Sequence, residues 1–201
     1  MPTIANMENV NGIVISGAIP ESHTLLRTAT ASSSSTLSFT SRIDSTFDVY
    51  EFHFTNMHPA DDDALFQFQV NAAGASGFNE TITSTGFSSW HNEGDTSSGL
   101  GYEVNLDQGN GTGYQTILTV QAGNDADQAS SGVLTLYAPS SKTYVKQFTS
   151  VGNTAHYVQY SIVLRIAGYI NVTAPIDEIS FKFDSGNIDA GVIKMYGVAK
   201  S

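Results

Sequence analysis

The sequence predicts an all-β fold: a jelly-roll-like antiparallel β-sandwich with a short N-terminal arm. Three observations carry this. Aromatic and aliphatic residues alternate with polar ones along most of the chain, the period-2 signature of half-buried strands. Clusters of Gly, Asn, Asp, Ser and Pro punctuate these runs at short intervals. No stretch has a helical period with caps, so the chain reads as roughly nine to eleven strands, the pattern of a sandwich or barrel.

The arm is assigned to residues 1–20 and the sandwich to 21–201. Residues 1–11 are polar and aperiodic. GIVISGAI (12–19), closed by Pro20, is a short β-type run that either packs on the domain as an edge strand or pairs with a neighbouring subunit. LLRTATASSSST (25–36) reads as a linker or as a Thr/Ser strand edge. Leu37 and Phe39 open a short strand. After the turn Asp44-Ser45-Thr46, Tyr50, Phe52 and Phe54 share one face, and Glu51, His53 and Thr55 the other. Phe66, Phe68 and Val70 answer them, alternating with Gln67 and Gln69. This aromatic pair, joined by the polar corner NMHPADDDA, is the expected packing nucleus.

Residues 71–101 are the least regular, with short strands expected at 80–83 and 87–90 and a loop at HNEGDTSSGLG. Strands follow at 102–106, 114–121 and 133–137, the last returning through Pro139–Lys142 into 144–149. A Gly-Asn turn at 152–153 leads to the longest run, 157–170, whose core face is Val158, Tyr160, Ile162, Leu164 and Ile166. Strands at 176–183 and 191–198, separated by DSGNIDAG, end the domain.

Composition narrows the function. At 40% hydrophobic and 10% aromatic, the chain can bury a real core, which excludes global disorder. Only 13% of residues are charged, so the surface is built from Ser, Thr, Asn, Gln and Gly. Nineteen carboxylates against 8 Lys and Arg give a net charge of −11, with no basic footprint for nucleic acid and little attraction to anionic membranes. The absence of cysteine removes disulfides, thiolate metal sites and a Cys nucleophile. The opening MPTIANMENVNG has no signal-peptide pattern, and the apolar run at 158–170 is too short to span a bilayer.

No catalytic motif is present, and the protein is expected not to be an enzyme. Asp61, Asp62 and Asp63 are candidate hard-cation ligands, but the spacing of a Ca²⁺ loop is missing and a solvated corner explains them. Asp125 with Asp127, and Asp184 with Asp189, lie in Asn/Gly turns that favour Asp for its geometry. His23, His53, His58, His91 and His156 form no HExxH or HxH pattern, and no cofactor is implied. GFSSWH around Ser88 and Ser89 is not a GxSxG elbow. Trp90, the sole tryptophan, is a candidate stacking platform for a sugar ring, with His91 beside it and Tyr102 and Tyr114 at neighbouring turns. The plainer reading of Trp90 is a core residue at a strand end.

Four stretches together resemble a known group: LSFTSRIDSTFDVYEFHFTNMHPADD, LTLYAPSSKTYVKQF, IAGYINVTAPIDEISFKFDSGNID and the closing GVIKMYGVAK. They are similar to β-rich structural proteins of tailed bacteriophages, many from aquatic hosts, over residues 36–200, with 71–132 matching least. The resemblance implies a virion structural protein assembled in the host cytoplasm. A tail-fibre or receptor-binding component that contacts a host surface glycan is the first expectation, and a capsid decoration (cement) protein the alternative. A carbohydrate-active enzyme on a similar sandwich is a remote third. Trimers about a virion axis, and attachment to other virion proteins through the arm, are the expected partnerships, without nucleic acid or membrane insertion.

Overall fold

The computed structural model describes residues 22–199 except residue 119, together with the backbone of two short strands before them. Those strands, β1 (Asn9–Val10) and β2 (Ile13–Val14), pair antiparallel. The rest of the arm expected at 1–20 lies outside the described residues. The domain contains β3 (His23–Thr30), β4 (Leu37–Phe39), β5 (Val49–Pro59), β6 (Phe66–Ala72), β7 (Ile82–Asn92), β8 (Ser98–Tyr102), β9 (Gly109–Gly111) and β10 (Gln115–Thr116). It continues with β11 (Ser130–Tyr137), β12 (Lys146–Ala155), β13 (Tyr160–Ile170), β14 (Ile176–Phe183) and β15 (Ile188–Val198). One turn of 3₁₀ helix, Val104–Leu106, follows β8.

These strands form a sandwich of two antiparallel sheets. The short sheet has the order β10-β6-β14-β4; the long sheet runs β3-β15-β5-β11-β12-β13-β7-β8, with β9 added beside β7. Eight strands taken in chain order (β3, β4, β5, β6, β10, β11, β14, β15) fall into the orders first-eighth-third-sixth and second-seventh-fourth-fifth. That is the double Greek key of a jelly roll. The other strands are two insertions. β7, β8 and β9 lie in the connection from β6 to β10, and β12 and β13 in that from β11 to β14. β13 pairs with β7, so the insertions join each other and lengthen one sheet only.

The core sits between the sheets where the aromatic runs face each other. Tyr50, Phe52, Phe66, Phe68 and Phe181 are fully buried. The Phe181 ring meets Phe52 at 5.4 Å and Phe54 at 5.3 Å, and Phe66 meets Phe183 at 5.1 Å. Each such pair adds about 0.5–1.5 kcal/mol beyond the area it buries. The outer side of the short sheet is less solvated than alternation predicts. Gln69 is fully buried and its amide donates to the carbonyls of Glu80, Thr112 and Gly113, which ties down two loops.

Several expected boundaries move, each for a local reason. The stretch 25–36 is no linker: β3 pairs with β15 from His23 to Thr30, and only the serines after it turn. β5 runs on to Pro59 through a bulge, where Asn56 takes φ 50° and its N–H bonds Ser131 Oγ. The two short strands expected near Phe87 are one strand, β7, and the loop expected after it contains β8. The strand expected at 102–106 ends at Tyr102, and that expected at 114–121 keeps only Gln115–Thr116. The turn expected at Gly152 is the middle of β12. A Cβ there would stand 2.2 Å from Leu118 Cδ1, so this glycine admits a neighbouring chain instead of reversing its own. The longest strand starts at Tyr160, not 157, because Gln159 turns at φ 65°, and Val158 stays 48% exposed.

Candidate functional site

The lengthened sheet has an outer face that the short sheet does not cover, and its register builds a trough. Phe87 pairs with Tyr102 on one side and Arg165 on the other, and Arg165 pairs with Val151. This row of large side chains runs across the strands. Two residues along, the row is Thr85, Ala167 and Thr149. Two further on it is Thr83, Tyr169 and Gln147, with Tyr137 beside them. A row of short side chains between two rows of long ones leaves a depression. Its walls stand about 13 Å apart, four residues of strand. Two joined cavities of about 420 and 360 Å³ occupy it, sharing Thr85, Thr149 and Ala167 on their floors.

The walls are exposed aromatics: Phe87, Tyr102, Tyr137 and Tyr169. Tyr102 is steadied by its hydroxyl, which donates to Asp107 Oδ2, and Tyr137 by Thr149 at 3.4 Å. Arg165 lines the trough, and its guanidinium has no ion-pair or hydrogen-bond partner among the described residues. The site therefore offers apolar ring faces, a cation with five donors, hydroxyls and the Gln147 amide.

A second cavity, about 260 Å³, lies on the other face of β7. It is lined by Ser88, Trp90, Glu103, Val120, Gln121, His156, Tyr160 and Ile162. The Ser88 hydroxyl donates to Glu103 Oε1. His156 is buried; its Nδ1 accepts the Val158 N–H at 3.0 Å and its Nε2 stands 3.1 Å from Gln121 Oε1. Burial pushes the imidazole below its ordinary 6.5, and the charge of Asp63 opposes this in part.

The four residues predicted to share one sugar site are dispersed. Trp90 and His91 are neighbours on a strand and so point to opposite faces of the sheet. Trp90 borders the inner cavity; His91 is exposed on the outer face, 3.2 Å from Asp95 Oδ1. Tyr102 belongs to the trough, while Tyr114 stands beside the short sheet with Lys182 Nζ 4.6 Å from its ring centre. Phe87, Tyr137, Arg165 and Tyr169 were not singled out from the sequence. Their signal was there, in the large residues on the solvent side of the alternating runs, but it became a site only once β13 was known to pair with β7.

The aspartates have local duties. Asp62 accepts the N–H of Asn124 at 2.9 Å, and Asp184 those of Leu65 and Ser185 at 2.8 and 2.9 Å. Among the described residues no group of three or more His, Asp or Glu side chains is placed to hold a metal ion. His53 and His23 both approach one oxygen of Glu51, at 2.8 and 3.3 Å, on the outer face of the original jelly roll. No described helix is long and apolar enough to cross a membrane. No family model, curated protein or solved structure matches this chain.

Proposed function

We propose that this chain is a structural protein of a bacteriophage particle that contacts the host surface, and that the trough across β7, β13 and β12 holds a stretch of surface glycan. The trough carries the reading. A sugar chain presents C–H faces that lie on aromatic rings and hydroxyl edges that need donors and acceptors. Phe87, Tyr102, Tyr137 and Tyr169 supply the first, and Arg165, Gln147 and the floor threonines the second. The trough is open along its length, so it suits a chain rather than a single ring. Binding is non-enzymatic, weak at each site and summed over copies on the particle. The first and last strands of the domain meet at one end, where the Ala199 N–H bonds the Ser22 carbonyl at 3.0 Å. Attachment through the arm at that end suits a trimer with its sheet faces turned outward.

The test is titration of the protein with size-fractionated oligosaccharides from bacterial surface polysaccharides. Phe87→Ala and Tyr169→Ala, both at exposed positions, are expected to weaken binding about tenfold each at unchanged melting temperature. Affinity unchanged from the parent chain in both variants sinks the trough reading, and release of reducing ends would make the protein an enzyme.

A second reading, a capsid decoration protein clamping neighbouring subunits, draws on the exposed Leu100, Tyr102 and Val104 near the β8 edge. In that case Leu100→Asp releases the protein from particles and leaves oligosaccharide titration flat. An image of the particle locating the domain on the head or at the tail separates the two.

A further inference from the structure

We infer that the cavity behind the trough is a second binding site, a pocket that takes a single pyranose ring. It shares with the proposed function only the class of ligand. Its walls, strand face and loops are its own. The Trp90 indole is laid against the backbone of β8 by two glycines in alternate positions. A Cβ on Gly99 would stand 2.6 Å from Cζ2 and 3.0 Å from Cε2 of the ring, and one on Gly101 3.2 Å from Cζ3. Any larger residue at Gly99 would lift the ring. The sequence SGLGY thus acts as a bed for an aromatic plane that also borders the cavity.

Around that plane the cavity gathers polar groups of mixed kind. Glu103 gives one carboxylate oxygen to Ser88, and its other oxygen has no donor among the described residues. The Gln121 carbonyl is engaged by His156, while its NH₂ group, the Tyr160 hydroxyl and the indole N–H have no partner among the described residues. Val120 and Ile162 complete an apolar side. An aromatic face with a carboxylate, an amide and a phenol at its rim matches a ring with one apolar face and equatorial hydroxyls. The volume, about 260 Å³, lies just below the range of drug-sized ligand pockets, roughly 300–1,000 Å³, and selects one ring over a chain. The negative carboxylate disfavours an acidic sugar, so the ligand is neutral.

Trp90 is the only tryptophan, so its fluorescence reports this pocket alone. The full chain is titrated with glucose, galactose and N-acetylglucosamine. A saturable change with at least one sugar is expected, with half-saturation on the order of millimolar. Glu103→Gln keeps a partner for Ser88 and weakens the response about fivefold; Gln121→Ala, in the loop over the pocket, does the same. Should Glu103→Gln fail to fold, Gln121→Ala decides. A flat titration with all three sugars overturns the pocket, as does a response that both variants leave intact. Tyr169→Ala and Phe87→Ala leave the fluorescence titration unchanged, so loss of oligosaccharide binding in those variants speaks about the trough only.

Discussion

The Tyr50 hydroxyl is bound to the backbone of Asp44 from both sides, accepting its N–H at 2.9 Å and donating to its carbonyl at 3.0 Å. Tyr50 is fully buried, and this clasp fastens the turn before β5 to the strand that organises the core. Burial raises the phenol's pKa above 10, so the hydroxyl keeps its proton and goes on donating at physiological pH. Tyr50→Phe removes the hydroxyl and keeps the ring. The Asp44 N–H and carbonyl lose their partner, and a loss of about 1–3 kcal/mol is expected in urea unfolding. A change within about 0.5 kcal/mol would mean that water replaces the hydroxyl without penalty.

Gly99 and Gly94 make a matched pair for testing the bed beneath Trp90. At Gly99 an added methyl strikes the indole; at Gly94 the nearest atom is Asn92 Nδ2 at 3.5 Å, an ordinary contact. Gly99→Ala should destabilise by about 1–3 kcal/mol as the ring is displaced. It should also shift the tryptophan emission, while Gly94→Ala stays within about 0.5 kcal/mol. Equal behaviour of the two variants would show that the ring moves aside freely.

These residues mark how far the sequence could be read. Alternation identified the buried faces of β5, β6, β13 and β14 over Tyr50–Phe54, Phe66–Val70, Ile162–Ile166 and Ile179–Phe183, where the apolar residues keep period 2; it missed the bulge at Asn56 and the burial of Gln69. Elsewhere along the strands it failed at glycine. Gly152 reads as a turn and Gly99 and Gly101 as part of a loop, yet each lies in a strand and serves as a place where something else comes close. Local pattern cannot tell a glycine that bends its own chain from one that admits Leu118 or Trp90. The trough failed for a different reason. Its walls come from strands distant in sequence, and their order across the sheet depends on two insertions finding each other. Trp90 was legible as a residue of interest, but its companions in space, Glu103, Gln121 and His156, share no motif with it.

Lys146 offers a test of the loops that close the end of the sandwich where Ser22 meets Ala199. It is fully buried, and its Nζ donates to the carbonyls of Tyr144, Val172 and Thr173 at 3.1, 3.0 and 2.9 Å. Desolvation lowers its pKa from 10.5, yet no carboxylate pairs with it among the described residues. It acts as a cationic clip between the loop before β12 and the one before β14. Lys146→Met preserves the apolar stem and removes the charge and donors. A loss of about 2–3 kcal/mol is expected, as for hydrogen bonds to a charged group. Hydrogen exchange should rise first in residues 138–145 and 171–175. A more stable variant would show that the desolvation of the charge outweighs its bonds.

His156 gives the fold a dependence on pH with a definite sign. Its Nδ1 accepts the Val158 N–H and its Nε2 faces Gln121 Oε1, so the neutral ring with the proton on Nε2 satisfies both contacts. Burial depresses its pKa below 6.5 in the folded state. As pH falls through 6.5, the unfolded chain takes up a proton that the folded chain refuses, and stability is lost until the folded-state pKa is passed. The contribution is complete above 6.5 and absent below the depressed value. Urea midpoints should therefore decline as pH falls from neutral through 6.5 towards the depressed folded-state value, and His156→Gln should flatten part of that decline while keeping the Nε2-side contact through its amide. Protonation of the folded chain, once pH falls through the depressed pKa, would break the Val158 bond and disturb Gln121, so tryptophan emission from the adjoining pocket should change only at the acid end of that decline in the parent chain and stay constant in the variant. An identical slope in both proteins would move the origin of the acid sensitivity to the carboxylates.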